Sequence, residues 1–224
     1  MVLSFFKKGE SPIQRIGHET IAMLSDARHS FDLASTALLA GADPAAVGAD
    51  IRATDERINA AEQRLRSELV VHIAVRGGDD IGLVLGYTLL LKKIERIGDQ
   101  AKNILDLAEE GISLAGEDDI DVFIARRQEI SQMYVEAADI LATLDTERAR
   151  EFLARSRRLN SECEDKLHEY MHSDRPGHWA VPRAILHRYW KRIVANLAGI
   201  VSAAIEPIQT IDYLDGGRTD ITDD

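Results

Sequence analysis

Five clusters of helix-breaking residues divide this 224-residue chain into six segments. Each segment is about 25 to 30 residues long and repeats apolar residues at i, i+3 and i+4, the period of an amphipathic helix. The segments are rich in Ala, Leu, Glu and Arg, which favour helices, and none alternates like a strand. We therefore predict six helices, interrupted at residues 41–44, 76–80, 111–119, 144–146 and 173–177.

Two segments show the face with which a helix packs in a bundle. The apolar residues of this face recur every three or four positions. They are Ile94, Ile97, Ala101, Ile104 and Ala108 in the third segment. In the second segment Ile51, Ile58, Leu65 and His72 recur every seven positions, which is two helical turns, and so also share one face. Asp43 and Asp145 lie where N-caps are expected, and Pro44 takes the first helical position after Asp43.

Composition narrows the class of protein. The chain has 27 basic and 38 acidic residues, a formal net charge of −11, so it would repel the phosphate backbone of nucleic acid. Cys163 is the single cysteine, which excludes an intrachain disulfide and is typical of a reducing compartment. The first ten residues lack the apolar region of a secretion signal, and residues 193–208 are too short and polar for a membrane span. We expect a cytoplasmic protein with no nucleic-acid partner and no transmembrane segment.

Weak echoes between the two halves indicate a repeat. Residues 55–59 of the second segment correspond to 156–160 of the fifth, and 95–99 of the third correspond to 191–195 of the sixth. Chance similarity between amphipathic helices is the alternative explanation. The fold class we predict is all-α, two tandem three-helix bundles at residues 1–113 and 114–211, followed by an acidic tail at 212–224 that frays.

Residues 94–104, with the sequence IERIGDQAKNI, resemble the signature of the PhoU family of phosphate-signalling regulators. Asp80 lies where that family usually carries Asp-Leu-Arg, and Asp55 with Asn59 fits the preceding helix. The resemblance extends over residues 13–208. It implies two tandem three-helix bundles without known catalysis.

The resemblance also implies a function and partners. PhoU-like proteins repress phosphate uptake and its regulon by contacting the ATPase of a phosphate ABC transporter and a sensor histidine kinase. Some members bind iron or zinc clusters through Glu/Asp-x-x-x-Asp motifs. We accordingly expect a regulator that forms a homodimer and has no catalytic residues.

Four polar residues of the first repeat are the candidate metal ligands. Glu95 and Asp99 are four positions apart and share one helix face, which the helical projection places opposite the apolar seam, on an outer surface. Asp55 and Asn59 lie on the flank of the neighbouring helix. Oxygen ligands of this kind suit iron, manganese or magnesium, and the family resemblance adds zinc to the candidate metals. A solvated charged surface is the alternative.

The second repeat departs from the pattern. Lys191 and Ala195 replace the acidic pair, and Ser156 stands where the first repeat has Asp55, so we predict no second metal site. Arg96 and Arg192 recur in both halves, as contacts to an acidic partner, as braces between helices, or as exposed side chains. Gly82 replaces the family's arginine after Asp80. Gly98, inside a helix, marks either a close helix approach or a tolerated glycine.

Two other functional classes are also compatible with the sequence. A carboxylate-bridged metal enzyme would need inward Glu-x-x-His pairs, for which the chain offers Glu169 with His172 and the near match Asp26 with His29. An accessory subunit of another inorganic phosphate or ion transporter is the second alternative. Residues 5–8, Phe-Phe-Lys-Lys, would then touch the inner face of the membrane.

The two tryptophans also allow two interpretations. Trp179 and Trp190 either anchor a partner or fill the space between helices.

Overall fold

The computed structural model describes residues 11–206, and these form six α-helices. The helices are α1 (Pro12–Ala40), α2 (Pro44–Arg76), α3 (Ile81–Glu109), α4 (Ile120–Thr143), α5 (Thr146–Met171) and α6 (Gly177–Ile205). All five predicted interruptions are confirmed, and a short 3-10 turn at Gly78–Asp80 fills the second of them. The predicted tail at 212–224 lies outside the described residues.

The helix ends follow from their capping residues. Asp43 and Asp145 accept hydrogen bonds from backbone N–H groups of the first turns of α2 and α5, so both predicted N-caps are confirmed. Ser11 and Gln14 form a capping box at the start of α1. Gly41 ends α1 in the left-handed region, with φ of 70°.

The helices pack in two groups that share one interior. Helices α1, α2 and α3 contact one another, as do α4, α5 and α6. The groups meet where α1 packs against α4 and α3 against α6, and buried apolar side chains form one continuous cluster across both. The proposed boundary at 113/114 falls in the connection between α3 and α4, and the division into repeats stays a prediction.

Both predicted packing faces are buried. Ile94, Ile97, Ala101 and Ile104 of α3 are fully enclosed, and Ile51, Ile58 and Leu65 of α2 pack in the same cluster. Helix α3 runs antiparallel to α6, because Gly86 near its start lies against the backbone of Ala203 near the end of α6. Helix α3 therefore has neighbours on three sides: α1, α2 and α6.

A polar contact joins the two groups at α1 and α4. Arg127 Nη2 lies 3.1 Å from Asp32 Oδ1, and the Ser131 hydroxyl donates to Asp32 Oδ2 over 3.1 Å. The rings of Phe31 and Tyr134 stack beside them, with centroids 5.6 Å apart. This contact fixes the packing of α1 on α4 by both charge and shape.

A buried arginine fixes the connection between α3 and α4. Arg183 of α6 donates to both carboxylate oxygens of Asp119, over 2.8 and 2.7 Å, and to Glu117 over 3.1 Å. Its guanidinium lies 4.2 Å from the ring centroid of Trp179. The hydrogen bond from Arg183 is the main cause of the lowered pKa of Asp119.

Candidate functional site

The structure brings the four predicted metal-site residues to the contact between α2 and α3. Asp55 and Asn59 lie one turn apart on α2, and the Asn59 amide donates to Asp55 Oδ2 over 3.2 Å. Glu95 and Asp99 lie on α3, which packs directly against α2. The four residues therefore lie along one seam between neighbouring helices.

The expected outward orientation of Glu95 is wrong. Its side chain is only 15% exposed, whereas that of Asp99 is 45% exposed. The helical projection of α3 takes into account only one apolar seam. Because α3 has helices on three sides, the face opposite Ile94 and Ile97 is partly covered too. Asp55 of α2, also 15% exposed, is partly covered because α2 packs against α3.

Lys102 lies between two of the acidic residues. Its ammonium nitrogen is 2.9 Å from Asp55 Oδ2 and 3.0 Å from Asp99 Oδ1, so it joins α2 to α3. Burial, the largest single influence, lowers the pKa of Lys102, but the hydrogen bonds and charges of Asp55 and Asp99 together raise it. The ammonium therefore stays charged between Asp55 and Asp99.

Glu95 has its own cationic neighbour. Lys92 Nζ lies 2.6 Å from Glu95 Oε2, one turn earlier on α3. The acidic pair Glu95 and Asp99 is thus divided between two different lysines. This arrangement relieves the like-charge repulsion that the sequence spacing alone suggests.

Two further residues extend this polar seam along α2. Glu62 is nearly buried, and the Arg66 guanidinium lies 2.8 Å from its Oε1 atom. The signal for them was present in the sequence, because Asp55, Asn59, Glu62 and Arg66 are spaced by four, three and four residues and so share one helix face. The family pattern on α2 includes Asp55 and Asn59 only, so it does not indicate Glu62 or Arg66.

As arranged, the seam does not fit a divalent metal ion. Among residues 11–206, no group of three or more His, Cys, Asp or Glu side chains is close enough to hold one. Asp55 Oδ1 is buried and accepts no hydrogen bond from the described residues, but its other oxygen already binds Lys102. The metal site predicted from the sequence at Asp55, Asn59, Glu95 and Asp99 is untested by these contacts, and elemental analysis tests it directly.

Gly98 lies where α3 approaches α2 at this seam. A Cβ atom at position 98 would come within 3.6 Å of Ile58 Cδ1 and 3.8 Å of Asp55 Oδ1. These are ordinary van der Waals distances, so alanine would also fit and glycine is tolerated rather than required. Gly82, by contrast, has no neighbouring atom within 4 Å.

The corresponding positions of α5 and α6 have different contacts. Lys191 pairs with Glu164, and the buried Ser156 hydroxyl donates to the backbone carbonyl of Phe152. Arg96 and Arg192 are both exposed. The two arginines are therefore available at the surface, as a contact to an acidic partner requires and a brace between helices does not.

The residues proposed for a two-metal enzyme are far from forming a centre. His29 is exposed and bonds to Asp50 of α2 over 2.9 Å, whereas His172 is exposed at the end of α5 and bonds to the backbone of His168. Neither histidine lies in the interior of the bundle. In the part of the chain described here, the inward Glu-x-x-His pairs of that enzyme class are not assembled.

The single cysteine of the chain is enclosed in the core. Burial raises the pKa of the Cys163 thiol to about 11, which keeps it protonated and unreactive.

The two tryptophans differ in exposure. Trp190 is fully buried and fills space between helices, while Trp179 is partly exposed. Trp190 contacts the buried ring of His187, whose pKa burial lowers to about 4.

Comparison with known proteins decides the family of the first half. Residues 13–108 match the sequence model of the PhoU domain. This stretch of the chain is therefore PhoU-like. The resemblance carried by IERIGDQAKNI is thus confirmed, and the matched range contains α2, α3 and the whole polar seam between them.

A solved structure extends the likeness of fold beyond that range. The crystal structure of PhoU from Pseudomonas aeruginosa superposes with a TM-score of 0.74 and 22% sequence identity, over 86% of this chain and 95% of that one. At this identity the match establishes the fold, which is all-α and PhoU-like. No curated protein matches the sequence.

None of the helices in residues 11–206 combines the length and the apolar character that crossing a membrane requires. The last helix, α6, is instead buried in the bundle along Ile193, Val194, Leu197 and Ile200.

Proposed function

We propose that this protein is a PhoU-like regulator of phosphate uptake and phosphate signalling that acts by binding other proteins. The PhoU domain at residues 13–108 is the observation that carries this proposal. The PhoU-like arrangement of the six helices supports it, because the second half contributes to the same body.

The exposed end of the α2–α3 hairpin supports binding as the mode of action. Val70, Val71 and Val75 of α2 point to solvent, with Val75 76% exposed. Ile81, Leu83 and Leu85, at the start of α3, are about half exposed. Exposed apolar side chains of this size near one end of a hairpin are typical of protein contacts, and these lie inside the range that matches the PhoU domain.

The mechanism we propose is a shift in the conformational population of the partner. A pre-formed helical surface binds one state of the partner better than another and so favours that state. The exposed guanidinium groups of Arg96 and Arg192 would contact acidic residues of the partner. No bond is made or broken in this mechanism.

The partners we propose are the ATPase of a phosphate ABC transporter and a sensor histidine kinase. Affinity capture of the full chain from its own cells, at high and at low phosphate, tests this directly. We expect at least one of the two to be recovered. Capture of neither at either phosphate level would contradict the proposal.

A matched pair of variants locates the contact. Val75→Glu places a charge in the exposed hairpin end, whereas Val122→Glu places the same charge on α4, where Val122 is 60% exposed. We expect Val75→Glu to lose the captured partner and Val122→Glu to retain it. Loss with both variants, or with neither, would move the contact away from this hairpin.

The same experiment separates the remaining alternatives. Capture of an inorganic phosphate permease in place of the ABC components would favour the accessory-subunit function.

Light scattering of the purified chain tests the proposed homodimer, for which we expect twice the mass of the 24.9 kDa chain.

A further inference from the structure

A groove lies between the end of α5 and the start of α6, away from the polar seam. Its volume is about 670 Å³. Its apolar lining includes Leu167, Tyr170, Met171, Val181, Ile185 and Tyr189. Because α3 and α6 are antiparallel, this groove lies at the opposite end of α6 from the start of α3 and the exposed α2–α3 hairpin end.

The composition of the groove is typical of a protein-binding surface. Tyr170 forms a buried part of the groove, whereas Met171 is 65% exposed and Val181 52% exposed. Tyrosine, methionine and arginine are enriched at the centres of protein interfaces, and unbranched methionine adapts to the shape of a partner.

The charge of the groove has one sign. Its lining contains Arg175 and Arg188 and no Asp or Glu, in a chain with a formal net charge of −11. The Arg175 guanidinium lies 4.4 Å from the ring centroid of Trp179, which holds it at the groove. Within residues 11–206, neither arginine forms an ion pair with a carboxylate, so both guanidinium groups can bind an external one.

We propose that this groove binds an amphipathic helix with an acidic flank, supplied by a partner protein. An apolar trough between two helices receives the apolar face of a third, through side chains spaced i, i+3, i+4 and i+7. Arg175 and Arg188 select a helix whose flanks carry Glu or Asp. The inference rests on the proposed function in one respect, namely that this protein acts by binding other proteins.

A pair of synthetic helices tests the charge preference. Both peptides, of roughly 20 residues, carry Leu on one face with Ala and Gln on the outer face, and they differ in having Glu or Lys on the flanks. Trp179, beside Tyr170 with ring centroids 5.6 Å apart, provides a fluorescence signal for titration. We expect saturable binding of the Glu peptide at least about tenfold tighter than that of the Lys peptide. Equal binding of the two peptides would overturn the proposal.

Surface variants test the location. Val181→Glu should weaken the Glu peptide about tenfold or more, because it places a negative charge in the trough, and Arg188→Glu should do the same. Val122→Glu, at a similarly exposed valine on α4, is the control and should bind like the parent. Circular dichroism verifies that all variants keep their helical content. Unchanged binding in Val181→Glu would overturn the proposal.

Photocrosslinking identifies the natural occupant. A photoreactive residue at position 181, with position 122 as control, should capture a partner protein through an acidic helical segment. Crosslinks that lead only to a second copy of this chain, or to its own residues 207–224, would overturn the inference while leaving the regulator function intact. Capture of an acidic helix from a protein unrelated to phosphate would uphold the groove and count against the phosphate function.

Discussion

The Lys102 ammonium lies within 3.0 Å of carboxylates from two helices, and this contact determines the chemistry of the polar seam. A lysine in that position pairs with both Asp55 and Asp99 without any metal ion, offsets one of their two negative charges and joins α2 to α3. Glu95 is neutralised separately by Lys92. At the residue scale, the seam is therefore an ion-pair network between helices.

Elemental analysis tests this view of the seam. We expect no stoichiometric iron, zinc, manganese or magnesium in protein purified after metal-supplemented growth, because Lys102 already supplies the positive charge. Glu95→Ala and Asp99→Ala should then have the same metal content as the parent. A stoichiometric metal that is lost in both variants would show that Lys102 leaves the seam and that the metal prediction is right.

His187 makes the stability of the protein depend on pH. Its pKa in the folded protein is about 4, below its usual 6.5, so folding favours the neutral ring. The stabilising contribution is complete above about pH 6.5 and is lost as the pH falls towards 4. Relative to the phenylalanine variant, we expect a loss of about 2 kcal/mol between pH 7.5 and 5.

Urea unfolding of the parent and of His187→Phe, at a series of pH values, measures this contribution. Phenylalanine suits the aromatic surroundings of Phe123, Tyr170 and Trp190 and does not titrate. Identical pH profiles for the two proteins would show that the ring of His187 is not buried in the neutral form.

Gly98 and Gly199 form a pair of contrasting helix glycines. Gly98→Ala should raise the free energy of unfolding by about 0.5–1 kcal/mol, because a Cβ meets only ordinary contacts there and alanine favours the helix. A Cβ at position 199 would overlap the Lys93 side chain, so Gly199→Ala should gain less or lose stability. A loss of stability in Gly98→Ala would mean that α2 and α3 approach more closely than described here.

At the scale of helices, the sequence predicted where each element begins and ends. Breaker residues and caps such as Asp43, Asp145 and Gly41 act locally, so their effect can be read from neighbouring residues alone. The burial of Glu95 and the position of Lys102 depend instead on α2 packing beside α3. A helical projection of one helix contains no information on the helices beside it. The sequence therefore predicts which residues belong to the candidate site, but not which side chains they contact.

The Asp145 cap tests this local control. Asp145→Ala removes the acceptor for the N–H groups of Glu147 and Arg148 and should lower the free energy of unfolding by about 1 kcal/mol. Asp145→Asn keeps an acceptor oxygen and should lose far less. Equal losses in the two variants, measured by urea unfolding, would mean that charge rather than capping stabilises the start of α5.

At the scale of the whole molecule, the two halves form one body with different surfaces. The first half matches the PhoU domain and has an exposed apolar hairpin end, and the second half completes the PhoU-like fold and carries the groove between α5 and α6. Between α5 and α6 the polar contacts differ from those of the seam: Lys191 pairs with Glu164, and the Ser156 hydroxyl donates to a backbone carbonyl. One protein could thus contact two partners at opposite ends of the bundle.

We propose that this protein represses phosphate uptake by binding other proteins, and phosphate uptake in cells tests the proposal. Phosphate uptake and expression of phosphate-starvation genes are measured at high phosphate in cells that lack the protein, with and without the parent chain or Val75→Glu restored. We predict that both quantities rise without the protein, return to normal with the parent chain, and stay high with Val75→Glu. Uptake and expression that remain unchanged when the protein is absent would contradict the account.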